Sequence, residues 1–250
     1  MAERPEDLQR RLEQEPPPRV CLIAGEEPLL QREAADAVRR AAREAGHCER
    51  EVLDVEAHFD WGRLADAAAN LSLFGDRRLL ELRMPGGKPG QAGAEALKAY
   101  CRTAPADTIL LVTCNRLDRA ARESAWVRAL AEAGTFVYCW PLPAAEMPRW
   151  VAGRLRRAGL EADREAAALI AERAEGNLLA ADQAVEKLRL LVGGGQVDAE
   201  AAAAALADSA RYSVDDLADA ALAGDLTRAL RVLATLVEEG VQPPLILWAL

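Results

Sequence analysis

The sequence predicts a doubly wound α/β domain with a mainly parallel sheet, followed by a purely helical region. Three observations lead there. Five apolar runs (Val20–Ala24, Glu51–Val55, Leu79–Met84, Thr108–Thr113 and Thr135–Trp140) alternate with segments of helical periodicity, the signature of strand–helix–strand units. After Pro141-Leu142-Pro143 the alternation stops and helical patterns alone continue. The chain has 250 residues, 51% of them hydrophobic, enough for more than one core.

The elements follow in order. Leu8 and Leu12 with charged neighbours predict a short amphipathic helix, ended by Pro16-Pro17-Pro18. Val20–Ala24 is a continuous apolar run, as in a strand buried on both faces. Gly25-Glu26-Glu27 turns the chain, and Pro28 suits the first position of a helix carrying Leu29, Leu30, Ala34, Val38 and Ala41. A strand over Glu51–Val55 precedes a helix from Trp61 to Ala69, with Asp60 as its N-cap. The Leu79–Met84 strand, a Gly/Pro loop and a helix through Ala94, Leu97 and Tyr100 come next. The Thr108 strand, a helix over Ser124–Ala133 and the Thr135 strand complete the sheet. Beyond Pro143 no further strand is expected. Helices are predicted at Met147–Ala158, Arg164–Ala174, Leu178–Leu191 and Ala199–Ala207, separated by Gly159 and Gly193-Gly194-Gly195. Another helical set begins at Val214, with Asp225 capping Leu226–Glu239 and Pro243-Pro244 opening a last helix. The chain stops inside that apolar run with no cap or polar tail, the pattern of a truncated helical domain.

Composition excludes several classes. No apolar run approaches the roughly 18 residues of a membrane span, and the charged N-terminus lacks the apolar core of a signal peptide, so a soluble, cytoplasmic protein is expected. Five widely spaced cysteines and two histidines, without a CxxC pair, argue against a zinc site or a disulfide framework. Cys21, Cys114 and Cys139 lie in strand-like runs and read as small core residues. A net charge of −9 argues against holding nucleic acid by a global field.

Strand, turn, helix, then a small helical domain is the plan of AAA+ nucleotide-binding machines, whose nucleotide sites have several parts legible in sequence. A phosphate loop after Ala24 should read G-x-x-x-x-G-K-[ST], because backbone N–H groups and a lysine neutralise phosphate charge. Here Gly25-Glu26-Glu27-Pro28-Leu29-Leu30-Gln31-Arg32 lacks the second glycine and the lysine, loses a donor at Pro28 and adds two carboxylates. Gly25, Leu30, Gln31 and Arg32 thus mark a degenerate phosphate loop, and no cofactor is expected. The strands that should end in a magnesium-holding acid end in Arg83-Met84-Pro85 and Thr113-Cys114-Asn115. In Glu175-Gly176-Asn177-Leu178-Leu179, Leu179 stands where such a motor carries a phosphate-sensing arginine. There is no G-x-S-x-G elbow or triad setting for either histidine. A receiver-type acidic pocket from Glu26, Glu27 and Asp54 would put Asp54 on the wrong strand, and capping or surface roles explain those acids. No intrinsic catalysis is expected.

The remaining conspicuous stretch is Asn70-Leu71-Ser72-Leu73-Phe74-Gly75-Asp76-Arg77-Arg78. Leu73-Phe74 stops against the turn-forming Gly75-Asp76, so the pair either plugs a hydrophobic pocket on a partner or closes the core beneath the preceding helix. From residue chemistry alone core packing is the commoner outcome.

Together these motifs resemble the delta subunits of bacterial DNA polymerase III clamp loaders. The resemblance covers essentially all 250 residues. It is carried by Leu22-Ile23-Ala24-Gly25-Glu26-Glu27-Pro28-Leu29-Leu30, Leu71-Ser72-Leu73-Phe74, Ile109-Leu110-Leu111-Val112, Pro148-Arg149-Trp150-Val151-Ala152 and Glu175-Gly176-Asn177-Leu178-Leu179, in that order and with a dead nucleotide site. It implies an AAA+-like α/β domain over residues 1–142 with the clamp-binding loop, a helical lid over 143–210 and the start of a truncated helical collar over 211–250. It implies a subunit that opens the ring of the beta sliding clamp for loading onto primed DNA, without hydrolysing ATP. The implied partners are the beta clamp, the tau/gamma motor subunits, delta prime and, in the assembled complex, primed DNA; no membrane is involved. Leu73 and Phe74 match the two anchor positions that enter the clamp's hydrophobic pocket, which reverses the preference for core packing. Leu71 reads equally as a third contact or a supporting core residue. Arg77, Arg78 and Arg149 are candidate secondary contacts, against a plain reading of solvated side chains. Arg149, Arg156 and Arg157 share one side of their helix, where a solvated basic face is favoured over a contact to DNA phosphates. The alternatives are a divergent P-loop ATPase and an AAA+-derived adaptor for another partner.

Overall fold

The computed structural model describes residues 2–69, 77–207, 214–238 and 241–249. The chain divides into two compact units, residues 1–142 and 143–250.

The first unit is a five-stranded sheet. Its strands are β1 (Val20–Gly25), β2 (Glu49–Asp54), β3 (Arg78–Arg83), β4 (Thr108–Cys114) and β5 (Thr135–Cys139). Their order across the sheet is β2-β3-β4-β1-β5, and every pair is parallel. Helices are α1 (Pro5–Leu12), α2 (Pro28–Glu44), α3 (Gly62–Ala69), α4 (Gly90–Thr103), α5 (Arg119–Arg122) and α6 (Ala125–Ala133). The doubly wound parallel sheet is therefore as the alternation predicts. The four-residue α5 is not: one turn is too short to leave a periodic signal.

Because successive strand residues face opposite ways, the sheet sorts its side chains by parity. Leu22, Leu80, Leu82, Leu110, Val112 and Tyr138 join a core with Leu64 and Ala67 of α3, Leu97 and Tyr100 of α4, and Trp126 and Leu130 of α6. The opposite parity faces α2, whose Leu29, Leu30, Ala34, Val38 and Ala41 are buried. Each Leu or Val buried this way contributes roughly 1.5–3 kcal/mol. Cys21, Cys114 and Cys139 are buried in this sheet, and burial pushes each thiol up to about 12. They are core residues.

One acid sits inside this frame. Glu81, in the middle of β3, is fully buried and faces α2. Arg39 of α2 forks onto both its carboxylate oxygens, Arg50 of β2 donates at 3.0 and 2.7 Å, and Arg83 donates at 3.0 Å. Burial alone would raise its pKa; the three arginines outweigh burial and hold it at about 2.

The second unit contains α7 (Met147–Arg157), α8 (Arg164–Ala174), α9 (Leu178–Val192), α10 (Ala199–Ala207), α11 (Val214–Leu222), α12 (Leu226–Glu238) and α13 (Pro243–Ala249), with a 3-10 turn at Ala144–Glu146. The expectation of no strand after Pro143 is wrong here. β6 (Leu160–Ala162) and β7 (Gly195–Val197) form a small parallel pair. Three residues carry no readable alternation, and each strand directly follows or begins at a glycine that reads as a breaker. Asp163, Asn177 and Asp225 cap α8, α9 and α12, each accepting from the backbone N–H three residues on. Helices α11–α13 bury Leu217, Val232, Leu236 and Ile246 together, while Leu222, Leu226, Leu230, Leu247 and Trp248 stay exposed.

Candidate functional site

In a parallel sheet all strands point one way, so the two edges differ in chemistry. At the carboxyl edge the following helices begin and offer N–H groups; at the amino edge helices end and offer carbonyls.

The carboxyl edge is where a nucleotide would bind in such a fold. Here its donors are occupied from within. The Gly25 N–H bonds Asn115 O at 3.3 Å, and the N–H groups of Glu26 and Glu27 bond Cys139 O at 2.9 and 3.3 Å. Pro28 opens α2 without a donor, and the Leu29 N–H is taken by the Glu27 carboxylate at 3.4 Å. Burial raises the Glu27 pKa, and that N–H bond partly offsets the shift. Glu26 lies 3.6 Å from Arg116. Of the degenerate loop residues, Leu30 is buried in the core, Gln31 is half-buried and Arg32 is exposed. Gly25 itself packs so closely on β5 that a Cβ would fall 2.2 Å from Cys139 O, so this glycine serves sheet packing.

β3 ends at Arg83, which pairs with Glu81 and Asp54, and Asn115 follows β4 with its carbonyl on Gly25. Beside them the Arg122 guanidinium lies 4.9 Å from the Tyr138 ring and 4.5 Å from the Trp140 ring, while the Tyr138 hydroxyl donates to Leu117 O. The sheet order puts β3 and β4 between Asp54 and the Glu26-Glu27 turn, so these acids do not form one pocket. In the second unit Asn177 caps α9, Leu178 is buried and Leu179 is 40% exposed.

The amino edge holds the candidates Arg77 and Arg78. Leu71, Leu73 and Phe74 lie outside the described residues. Asp60 accepts the Gly62 N–H at 2.9 Å and starts α3, and Leu64 and Ala67 fix α3 to the core. Arg77 is exposed and donates to Ala45 O, at the end of α2, at 3.0 Å. Arg78 departs from the solvated reading: its side chain is 14% exposed. It donates to Ala67 O at 3.0 Å and to Glu49 at 3.1 Å, with Glu51 at 3.5 Å.

Arg149 is exposed on α7, as are Arg156 and Arg157. Arg154 of the same helix instead pairs with Asp182 at 3.1 Å and lies over the Trp150 ring at 4.5 Å. The structure therefore gathers Arg77 and Arg78 at one edge and leaves Arg149 in the other unit. Sequence reading missed the bridging role of Arg78 and the burial of Glu81. For Glu81 a signal existed: an acid inside an otherwise apolar strand, two residues before an arginine.

Among the described residues no helix is long and apolar enough to cross a membrane, and no cluster of three or more His, Cys, Asp or Glu is placed to hold a metal.

Residues 21–140 match the family model "DNA polymerase III, delta subunit". The chain is 35% identical over 226 residues to DNA polymerase III subunit delta of Escherichia coli, covering 90% of this chain and 66% of that protein. It is 29% identical over 232 residues to the Haemophilus influenzae subunit, covering 92% and 67%. The chain thus spans about two thirds of the length of these relatives. Among solved structures, the Bacillus subtilis DNA clamp loader delta protein superposes with a TM-score of 0.70 at 18% identity, covering 98% of this chain and 75% of that one. The Thermotoga maritima RuvB Holliday junction branch migration motor gives 0.50 at 14% identity, covering 86% and 74%. The fold is AAA+-like, and the chain belongs to the DNA polymerase III delta-subunit family.

Proposed function

We propose that this chain grips the beta sliding clamp through Leu73 and Phe74, with Leu71 beside them, and opens the clamp ring for loading onto primed DNA. It does so as the delta component of a clamp loader within the DNA polymerase III holoenzyme. Residues 1–142 are the gripping domain, 143–210 a helical lid and 211–250 the first part of a collar. The exposed Leu222, Leu226, Leu230, Leu247 and Trp248 support assigning this last part to assembly with the motor subunits and delta prime. The subunit works in the cytoplasm.

The observation that carries the reading is family membership combined with the occupied carboxyl edge. With the Gly25, Glu26, Glu27 and Leu29 N–H groups all bonded within the chain, no nest remains for a phosphate. Work on the clamp must then come from binding energy directed to a form whose protomer interface stays open. A ligand shifts such an equilibrium only by its differential affinity for the two forms. ATP in the motor subunits would govern when this surface is presented.

Two titrations test the proposal. A fluorescent ATP analogue is expected to show no saturable binding up to about 1 mM, an affinity weaker than about 4 kcal/mol. A beta clamp carrying a fluorophore pair across its interface is expected to lose energy transfer when the chain is added. Saturable ATP binding would favour the divergent ATPase, and an undisturbed, unbound clamp would favour an adaptor for another partner.

A further inference from the structure

The two arginines at the amino edge do different things on opposite faces of the sheet. Arg77 caps α2 through Ala45 O, on the face that also holds Arg39 and Glu81. Arg78 points to the other face and bonds Ala67 O in the last turn of α3. That carbonyl is one of the four at a helix C-terminus without an intrahelical partner, where the helix dipole favours a cation. The same guanidinium holds Glu49 of β2, and its own backbone opens β3 with the Arg78 N–H on Asp107 O at 2.9 Å. One side chain therefore joins the end of α3, the start of β3 and the edge strand β2. Residues 70–76 connect α3 to β3, so both their attachment points converge on Arg78.

Building on the clamp-binding reading above, we propose that Arg78 is a positioning residue for that function. Its guanidinium fixes both stems of the segment bearing Leu73 and Phe74 and makes no contact with the clamp itself. Its low exposure and its partners within the chain, Ala67 O, Glu49 and Glu51 among the described residues, commit its guanidinium internally, in contrast to exposed Arg77. The physical gain is preorganisation. Apolar anchors on fixed stems lose less conformational freedom on docking than anchors on stems that drift apart.

A double-mutant cycle tests this. Affinity for the fluorescently labelled beta clamp is measured for the parent, Arg78→Met, Phe74→Ala and the combined variant, with thermal midpoints recorded for each. Arg78→Met is expected to weaken the parent about tenfold, but by less than about twofold once Phe74 is Ala, since a positioning residue acts only through the anchors it positions. Arg78→Lys keeps the charge but not the fork and is expected to weaken binding to a similar degree; it carries the same cycle if Arg78→Met does not fold. Unchanged affinity in folded Arg78 variants overturns the proposal. So does an equal loss in both backgrounds, which would make Arg78 a direct clamp contact. A folded parent that does not bind the clamp overturns the clamp reading, and this inference with it; a parent that binds while the Arg78 variants match it overturns this inference alone.

Discussion

The two edges of the first unit's sheet teach different lessons from the same backbone. The carboxyl edge offers helix N-termini, the natural place for an anion, yet Glu27, Asn115 and Cys139 occupy its donors. The amino edge offers helix C-termini, which repel anions, and Arg77 and Arg78 complement them. Open α/β sheets usually bind ligands at their carboxyl edge. Here the N–H groups of that edge are bonded within the chain, and the described candidates Arg77 and Arg78 lie at the opposite one.

The largest expected effect lies between the edges and would damage both. Glu81→Ala leaves three arginines around an empty position and is expected to cost about 3–5 kcal/mol of stability in denaturant unfolding. The same group sets an acid limit. Its folded pKa, about 2, lies below the ordinary value of 4.5, so its contribution is fully present above pH 4.5 and is lost as pH falls toward 2. A thermal midpoint of the parent that drops through this window, with a shallower drop in Glu81→Ala, is the expected result.

Substitution of the anchors sharpens the contrast. Leu73→Ala with Phe74→Ala is expected to cost about 2–4 kcal/mol of clamp affinity and to leave the thermal midpoint in place. Gly25→Ala should do the reverse. Its Cβ would collide with Cys139 O, costing about 1–3 kcal/mol of stability, while clamp affinity of the folded protein stays unchanged. If Gly25→Ala instead weakened clamp binding without destabilising the chain, the separation of the edges would fail.

The sheet was legible because buried parallel strands are written as unbroken apolar runs, such as Val20–Ala24 and Ile109–Val112. β6 and β7 were not, because three-residue strands beside glycines leave neither length nor alternation to detect. The degenerate phosphate loop was legible as missing residue types, but its closure was not. Bonds from Gly25 to Asn115 and from Glu26 to Cys139 join residues about 90 and 113 positions apart, which only the topology brings together. Arg78 shows the same limit. Beside Arg77 it reads as one of two surface cations, and strand parity alone predicts that they part to opposite faces. That the Arg78 side finds a free helix carbonyl depends on where α3 ends.

The proposed function rests on the side chains of Leu73 and Phe74. Calorimetric titration of the chain into its own beta clamp, beside the Leu73→Ala/Phe74→Ala variant, tests it most directly. The account predicts tight binding by the parent and a loss of roughly 30-fold or more in an equally stable variant. Equal affinity in the two proteins, or no binding by the folded parent, would contradict it.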